Sequence, residues 1–384
     1  MTLTLSKEDA RRRLLSHLRL TTSEPGSHDA IRTLLAHLRC IQLDPLDTLG
    51  TNADLVVMAR LTDVQRGDVY RALEAPHAFE HFAKERCLLP AGSFPFYRLQ
   101  ATRTPHWRTA ERHRALPADL LDAVLEEVRR RGPLGSADLT ERGHIAQAGP
   151  AGWKSTRRIA ALALYVLWVQ CRVTVVRRTG RGKLYDVPER ALPDPEPREG
   201  YDRWGVLERV AAAGLLARST GPTWSMLKAQ RKTTVDAMLS DGSLREVLVE
   251  GSSRPFLTTE AFLEQAIEPR DDDLRILAPL DALLWDRKLV SQIFDFDYVW
   301  EVYKPAAKRL YGWYVVPLLH HGALVGRMQG HVDRSASSAT LIIDDVWRES
   351  GRSVDVVALD HCLADHAARL GCDHFTRPHP DDFG

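Results

Sequence analysis

The sequence predicts an α+β chain in which helical units end in β-hairpins and a β-rich domain closes the C-terminus. Three observations carry this. Helical periodicity dominates the first two-thirds of the chain. Two stretches rich in β-branched residues, "RVTVVRRTGRGKLYDV" and "SLREVLVEGSSRPFLT", interrupt it around glycine turns and are expected as hairpins. From "GWYVVPLLHHGALVGRMQGHVD" onward, extended segments with Gly and Asp at their turns take over. The 384 residues are 44% hydrophobic and 27% charged, a globular composition long enough for about two to three domains.

The first unit, residues 1–115, opens with "SKEDARRRLLSHLRL", where Ser6 can cap a helix and Asp9 holds the capping-box position. Ser27 heads a second helix, whose Ile31, Leu34, Leu35 and Leu38 fall at i, i+3, i+4 and i+7. After Cys40 apolar and polar residues alternate, so "IQLDPLDTLG" is expected to be extended. The second unit, 116–192, starts with the helix "DLLDAVLEEVRRRG", stopped by Gly132, then a short extended "GPLGSADL". "KSTRRIAALALYVLWVQC" is expected as one long helix with a basic front end, followed by a hairpin turning at Thr179-Gly180-Arg181-Gly182. Three helices and a basic hairpin in that order describe a winged helix-turn-helix. The Pro-rich "ERALPDPEPREG" is a linker. The third unit, 200–268, repeats the plan: three helical stretches, with Gly242 ending the last, then the second hairpin. Residues 272–384 are expected to form a small β-barrel or curved sheet packed on the helix "VDVVALDHCLADHAARLG", with Gly371 as its stop.

Several classes are disfavoured. No apolar run approaches the roughly 20 residues of a membrane span, and "MTLTLSKEDARRR" lacks the apolar core of a signal peptide. The five cysteines are scattered, without a C-x-x-C, which fits free thiols in a reducing cytoplasm. His361, Cys362 and His366 in "HCLADH" sit at helical spacing in an apolar stretch, so helix packing is preferred over a metal site. Net charge is only +1, but it is unevenly spread. Lys154, Arg157, Arg158, Arg172, Arg177, Arg178, Arg181 and Lys183 occur with no acid among them. Arg98, Arg103, Arg108, Arg112 and Arg114 meet only Glu111. Such segregation suits a phosphate footprint, and equally a solvated surface.

"CIQLDP" places a polar pair where the pattern asks for core. Pro45 pushes Asp44 out of the α region. In an extended segment, Gln42 and Asp44 then share one face, with Ile41 and Leu43 turned inward. A carboxylate and an amide on one face can hold a water between them. That suits attack on an oxocarbenium-like centre, as in hydrolysis of a glycosidic bond. The alternative is an Asx-turn at Asp44 with Gln42 satisfied by backbone.

"CIQLDPLD", "LVVMARL" and "FEHFAKERCLLP", followed by "KLYDVPERALP", "LAPLDALLWDRKL", "FDFDYVWEVYKPAAKRLYGWYVVPLL" and "LVGRMQGHVDR", resemble the AlkZ/YcaQ (AlkX) family of bacterial winged-helix DNA glycosylases. The resemblance covers about residues 30–335, and "WEVYKPAAKRLYGWY" is its most specific block. It implies three tandem winged helix-turn-helix units and a C-terminal β-barrel-like domain forming a concave DNA-binding surface. It also implies hydrolytic excision of alkylated purines, including bulky adducts and interstrand crosslinks. Gln42-Leu43-Asp44 matches the Gln-apolar-Asp motif of the YcaQ branch, so Gln42 would position the water and Asp44 would activate it. No lysine is expected beside the motif, which favours simple hydrolysis by a monofunctional enzyme over a Schiff-base lyase.

The resemblance implies no cofactor. The expected partner is double-stranded DNA with alkylated bases, bound by a monomer at the nucleoid. One departure stands out. Many family members carry an Arg-x-His-His-like element before the strand corresponding to "LVVMARL"; here Thr51, Asn52, Ala53 and Asp54 replace it, with Asn52 the candidate polar contact to DNA. Further DNA-binding candidates are Arg177, Arg178, Arg181 and Lys183 on the wing, and Lys304, Lys308 and Arg309 beside Tyr311, Trp313 and Tyr314. Trp285, with Asp286 and Arg287, is read as structural or ion-paired. The rival reading is a winged-helix regulator or damage-binding factor without catalysis.

Overall fold

A computed structural model of the chain describes residues 3–103, 116–117, 119–141, 143–148, 154–218, 222–224, 227, 231–335 and 338–384. Arg108, Arg112 and Arg114 lie outside the described residues, as do the side chains of Lys154 and Arg157. The fold is mixed α+β and divides into two compact units. Met1–Val69, Phe82–Cys87 and Gly205–Gly384 form one; Tyr70–His81 and Leu88–Trp204 form the other.

The chain starts with β1 (Leu3–Leu5) and the helix Lys7–His17. Ser6 caps that helix, its side chain accepting from the Asp9 N–H at 3.0 Å, while the Asp9 carboxylate pairs with Arg13 at 2.9 Å. Ser27 likewise caps His28–Leu38, whose Ile31, Leu34, Leu35 and Leu38 are buried. Arg39, at φ 65°, ends the helix in the left-handed region and turns the chain into β2 (Ile41–Gln42). The hairpin of β3 (Ala78–Phe82) and β4 (Arg86–Pro90) completes a sheet of order β2-β4-β3.

This arrangement recurs. β5 (Leu134–Gly135) adds to the second strand of the hairpin β8 (Thr174–Thr179) and β9 (Gly182–Asp186), after an intervening pair β6 (His144–Ala148) and β7 (Lys154–Arg158). β10 (Leu216–Ala217) adds to the second strand of the hairpin β11 (Arg245–Val249) and β12 (Phe256–Thr258). Each time a short strand preceded by a helix joins the hairpin that follows. β1 pairs in parallel with β11, Leu3 opposite Val247, so the N-terminus is part of the third sheet.

Two expected elements differ. "LVVMARL" is mostly helical: the helix runs Asn52–Met58 and all seven residues are buried. A capping box starts it, with Thr51 accepting from the Asp54 N–H and the Asp54 carboxylate accepting from Thr51. Capping and burial override the β preference of Val56 and Val57. The basic front of "KSTRRIAALALYVLWVQC" is strand β7; the helix begins only at Ile159 and ends at Val169. That helix is buried on most sides, which leaves no face for a charged first turn. Arg158 instead donates to Glu141 at 2.8 Å and to the carbonyls of Ser136 and Leu139.

The C-terminal sheet follows sequence order: β13 (Arg275–Ile276), β14 (Val315–His320), β15 (Ala323–Asp333), β16 (Thr340–Arg348) and β17 (His374–Thr376). It is an open half-barrel, antiparallel until β17, which joins β16 in parallel through the crossover helix Val356–Arg369. Register shifts at Leu318/Leu319 and Gln329/Gly330 bend it. Gly330 is required there, since a Cβ would lie 2.4 Å from the Ile342 carbonyl oxygen. Asp355 caps the crossover helix, and Gly371, at φ 70°, follows its end. No described helix is long and apolar enough to cross a membrane, and all five cysteines are free.

Candidate active site

The Gln-Leu-Asp motif lies where β2 ends. Leu43 N–H donates to the Arg86 carbonyl at 2.8 Å, pinning the motif against the start of β4. The turn before β4 is tight, with Ala83 N–H donating to the Glu85 carbonyl at 2.8 Å. Lys84 sits at its tip and donates from Nζ to Gln42 Oε1 at 3.2 Å. Its Nζ also lies 5.2 Å from the centroid of the Trp285 ring. Burial pulls the Lys84 ammonium down to about 8. The sequence-based expectation of no lysine beside the motif is therefore corrected. Forty-two residues separate Gln42 from Lys84 along the chain, and strand pairing closes that gap.

Ile41 and Leu43 are in the core, as their alternation predicts. Gln42 is buried too, at 7% exposure, so it faces a protein-lined site and not open water. Asp44 is half-buried. Its Oδ1 accepts from the Leu46 N–H at 3.0 Å, which is the Asx-turn that the Asp-Pro step allows. The turn occupies one oxygen and orients the carboxylate, leaving Oδ2 for another partner. Burial raises the Asp44 carboxyl above its ordinary value, and the Leu46 N–H only partly offsets this.

One buried link anchors the motif, and a second joins the elements behind it. Asn52 donates from Nδ2 to the Gln42 carbonyl at 2.8 Å and accepts at Oδ1 from the Leu280 N–H at 3.0 Å. Its exposure is 1%, so its expected role as a DNA contact is corrected: the amide is consumed in bracing the motif. Arg60 and Asp281, 1% and 0% exposed, form a two-pronged pair at 2.7 and 3.0 Å. Arg60 also donates to the Leu18 and Val56 carbonyls. Trp285 is buried and donates to the Leu280 carbonyl, while Asp286 caps the next helix and pairs with Arg254. "LAPLDALLW" thus braces the back of "IQLD" through Asn52, and the Arg60–Asp281 pair ties it to "LVVMAR".

These blocks match more than a local pattern. The family model "DNA glycosylase AlkZ-like" matches residues 35–370, most of the chain. The chain belongs to the AlkZ-like DNA glycosylase family. Its fold is similar to that of Streptomyces sahachiroi DNA glycosylase AlkZ, with a TM-score of 0.55 and 14% identity over 98% of this chain and 100% of that one. The protein is accordingly a DNA glycosylase, and the reading as a regulator without catalysis falls away.

In this glycosylase the basic candidates divide. Arg178 and Lys183 both turn to Glu80, at 2.7 and 2.6 Å, and Glu80 is 3% exposed. Burial raises the Glu80 carboxyl, but Lys183 and Arg178 outweigh that and hold it below its ordinary value. Two of the four expected wing contacts are therefore committed internally. Arg177 pairs with Glu74 at 2.9 Å yet stays exposed, and Arg181 is exposed at the β8–β9 turn. In the other segment, Lys304 donates to the buried Glu301 at 2.7 Å, and Arg309 donates to the Lys304 carbonyl. Burial pushes the Glu301 carboxyl up; Lys304 and the N–H groups of Tyr311, Leu310 and Gly312 prevail and hold it at about 2. Lys308 is exposed. Of the aromatic residues, Tyr314 is buried, and Tyr311 meets Trp347 edge-on and lies under the Arg327 guanidinium, whereas Trp313 is 39% exposed. Sequence reasoning passed over Tyr303, which is 83% exposed on the same loop. Its place next to Lys304 in "WEVYKPAAKRLYGWY" was the available signal.

His366, within "HCLADH", bonds the Leu49 carbonyl at 2.8 Å, and burial pulls its imidazolium down to about 4. Its ring therefore packs the helix and ties it to the motif's downstream loop.

Proposed function

We propose that this DNA glycosylase hydrolyses the N-glycosidic bond of purines made cationic by alkylation at N7 or N3, and extends to bulky adducts and interstrand crosslinks. Gln42 holds the water and Asp44 activates it. The observation that carries this is the paired placement of an oriented amide and a half-buried carboxylate at one strand end. A donor on Gln42 Oε1 fixes which end of the amide faces Lys84, so Nε2 is the end left to donate to a water oxygen. Asp44 Oδ2 can accept a proton from that water and face the positive charge developing on the sugar. A cationic purine is already a good leaving group, so little general-acid help is required.

The recurring strand-plus-hairpin plan supports reading 1–115, 116–192 and 200–268 as three winged helix-turn-helix units, with 272–384 a β-barrel-like domain. Arg177, Arg181, Lys308, Trp313 and Tyr303 are the exposed side chains we assign to DNA. Base release from N7-methylguanine duplex DNA and from a nitrogen-mustard crosslink, read by mass spectrometry, tests this. Wild type should release base, and Asp44→Asn or Gln42→Ala should lose several orders of magnitude in rate with DNA affinity nearly unchanged. Undiminished release by both variants would remove the pair from the mechanism.

A further inference from the structure

Lys84 has no part in the hydrolysis just described beyond orienting an amide, yet its position gives it chemistry of its own. Its amine is within hydrogen-bond reach of Gln42, the residue that holds the water aimed at C1′. It stands on a tight turn whose strand is bonded to the motif, so its position relative to Gln42 and Asp44 is set by backbone pairing. It is half-buried against Trp285, and burial lowers its ammonium to about 8, so a far larger fraction is the neutral, nucleophilic amine near neutral pH than for an exposed lysine. A permanently charged ammonium here would oppose the cationic sugar of the hydrolytic step; a lysine easily deprotonated opposes it less.

We infer that Lys84 supplies a second activity, an abasic-site lyase, in which its Nζ forms an imine with C1′ of the sugar left after base release. The inference rests on the assignment of Gln42 and Asp44 to the base-release site. The ring-opened abasic sugar carries an aldehyde at C1′. The Lys84 amine adds to it, a C–N bond forms, and one water leaves, giving a protonated imine. The imine acidifies the C2′ hydrogen, which passes to a base. The C3′–O3′ bond then breaks, and its electron pair departs with the 3′-phosphate as the free 5′-phosphate end of the downstream strand. Water hydrolyses the imine, returning the amine and leaving an unsaturated aldehyde on the upstream strand. No oxidant or reductant is consumed.

The test uses the full chain and a duplex carrying one preformed abasic site, so that base release is bypassed, with borohydride to reduce the imine. Wild type is expected to give a borohydride-dependent covalent protein–DNA adduct whose peptide maps to Lys84. Lys84→Gln and Lys84→Arg should each lower the adduct by at least about tenfold, since neither side chain forms an imine; the arginine variant keeps a cationic donor if the glutamine variant does not fold. Asp44→Asn should still be trapped on abasic DNA while losing base release from alkylated DNA, which separates the two activities. Trapping without any base release by wild type would sink the hydrolytic reading and leave the lyase standing. Absence of an adduct from wild type that binds the abasic duplex, or an adduct mapping to another amine, overturns the inference.

Discussion

Arg60 and Asp281 meet in a two-pronged ion pair with almost no solvent access, 221 residues apart in the chain. One follows the helix behind the motif, and the other follows Leu280, whose N–H binds Asn52. Breaking a buried pair from one side leaves an uncompensated charge, a loss on the order of 3–5 kcal/mol. Arg60→Met and Asp281→Asn should each lower the thermal midpoint markedly, and the double variant should recover part of that loss. Additive losses would show that the pair is not a coupled unit.

The bracing amide makes a narrower prediction. Asn52→Ala removes two buried hydrogen bonds, and the partners left unsatisfied cost about 1–3 kcal/mol each. Base release should fall with the Gln42 carbonyl untethered, while affinity for undamaged DNA stays near wild type. A selective loss of DNA affinity would instead return Asn52 to the DNA surface.

Base release should follow the ionisation of Asp44. Burial raises that carboxyl above 3.8, so its charged form is lost earlier as pH falls than for an exposed aspartate. A single-turnover pH–rate profile on N7-methylguanine DNA is expected to show an acid limb above that value. A flat rate down to it would exclude Asp44 as the base.

The two sets of cations on the β8–β9 hairpin should behave differently. Arg181→Ala is expected to weaken binding equally across sequences and to reduce the salt slope by about 1. Lys183→Ala and Arg178→Ala should chiefly lower stability, because Glu80 keeps its burial and loses a counter-charge. Fluorescence anisotropy against salt, beside thermal melts, separates the two effects.

Acid should destabilise the fold through two imidazoles, one buried (His366) and one half-buried (His17). His17 and His366 are both pulled down to about 4 by burial, from an ordinary 6.5. Their folded values are depressed, so the unfolded chain takes up protons first as pH drops. Their contribution is complete above pH 6.5, falls between 6.5 and 4, and is constant below. His366→Gln should flatten part of that slope in midpoint-versus-pH measurements.

Features set by near neighbours were legible in the sequence. Ser6 and Ser27 cap where their spacing places them, and the glycines at 180 and 182 mark the turn of β8 and β9. Ile41 and Leu43 turn into the core as the extended spacing predicts, and Pro45 holds Asp44 out of the α region. What escaped depends on distant partners. Lys84 reaches Gln42 only through a hairpin, and Asn52 turns inward because Leu280 offers it an N–H. Arg178 and Lys183 are drawn to a carboxylate, Glu80, that lies about a hundred residues earlier in the chain and is itself buried. No local pattern around any of these residues encodes such a partner.

The buried Glu80 has a consequence for how the enzyme searches. By holding Arg178 and Lys183 of the β8–β9 hairpin, it lowers the number of charges that hairpin can offer to phosphate, on a chain whose net charge is only +1. Each phosphate contact removed shortens the dwell on intact duplex and softens its dependence on salt. If this hairpin meets the DNA backbone, as we propose, the restraint favours quick departure from undamaged sites.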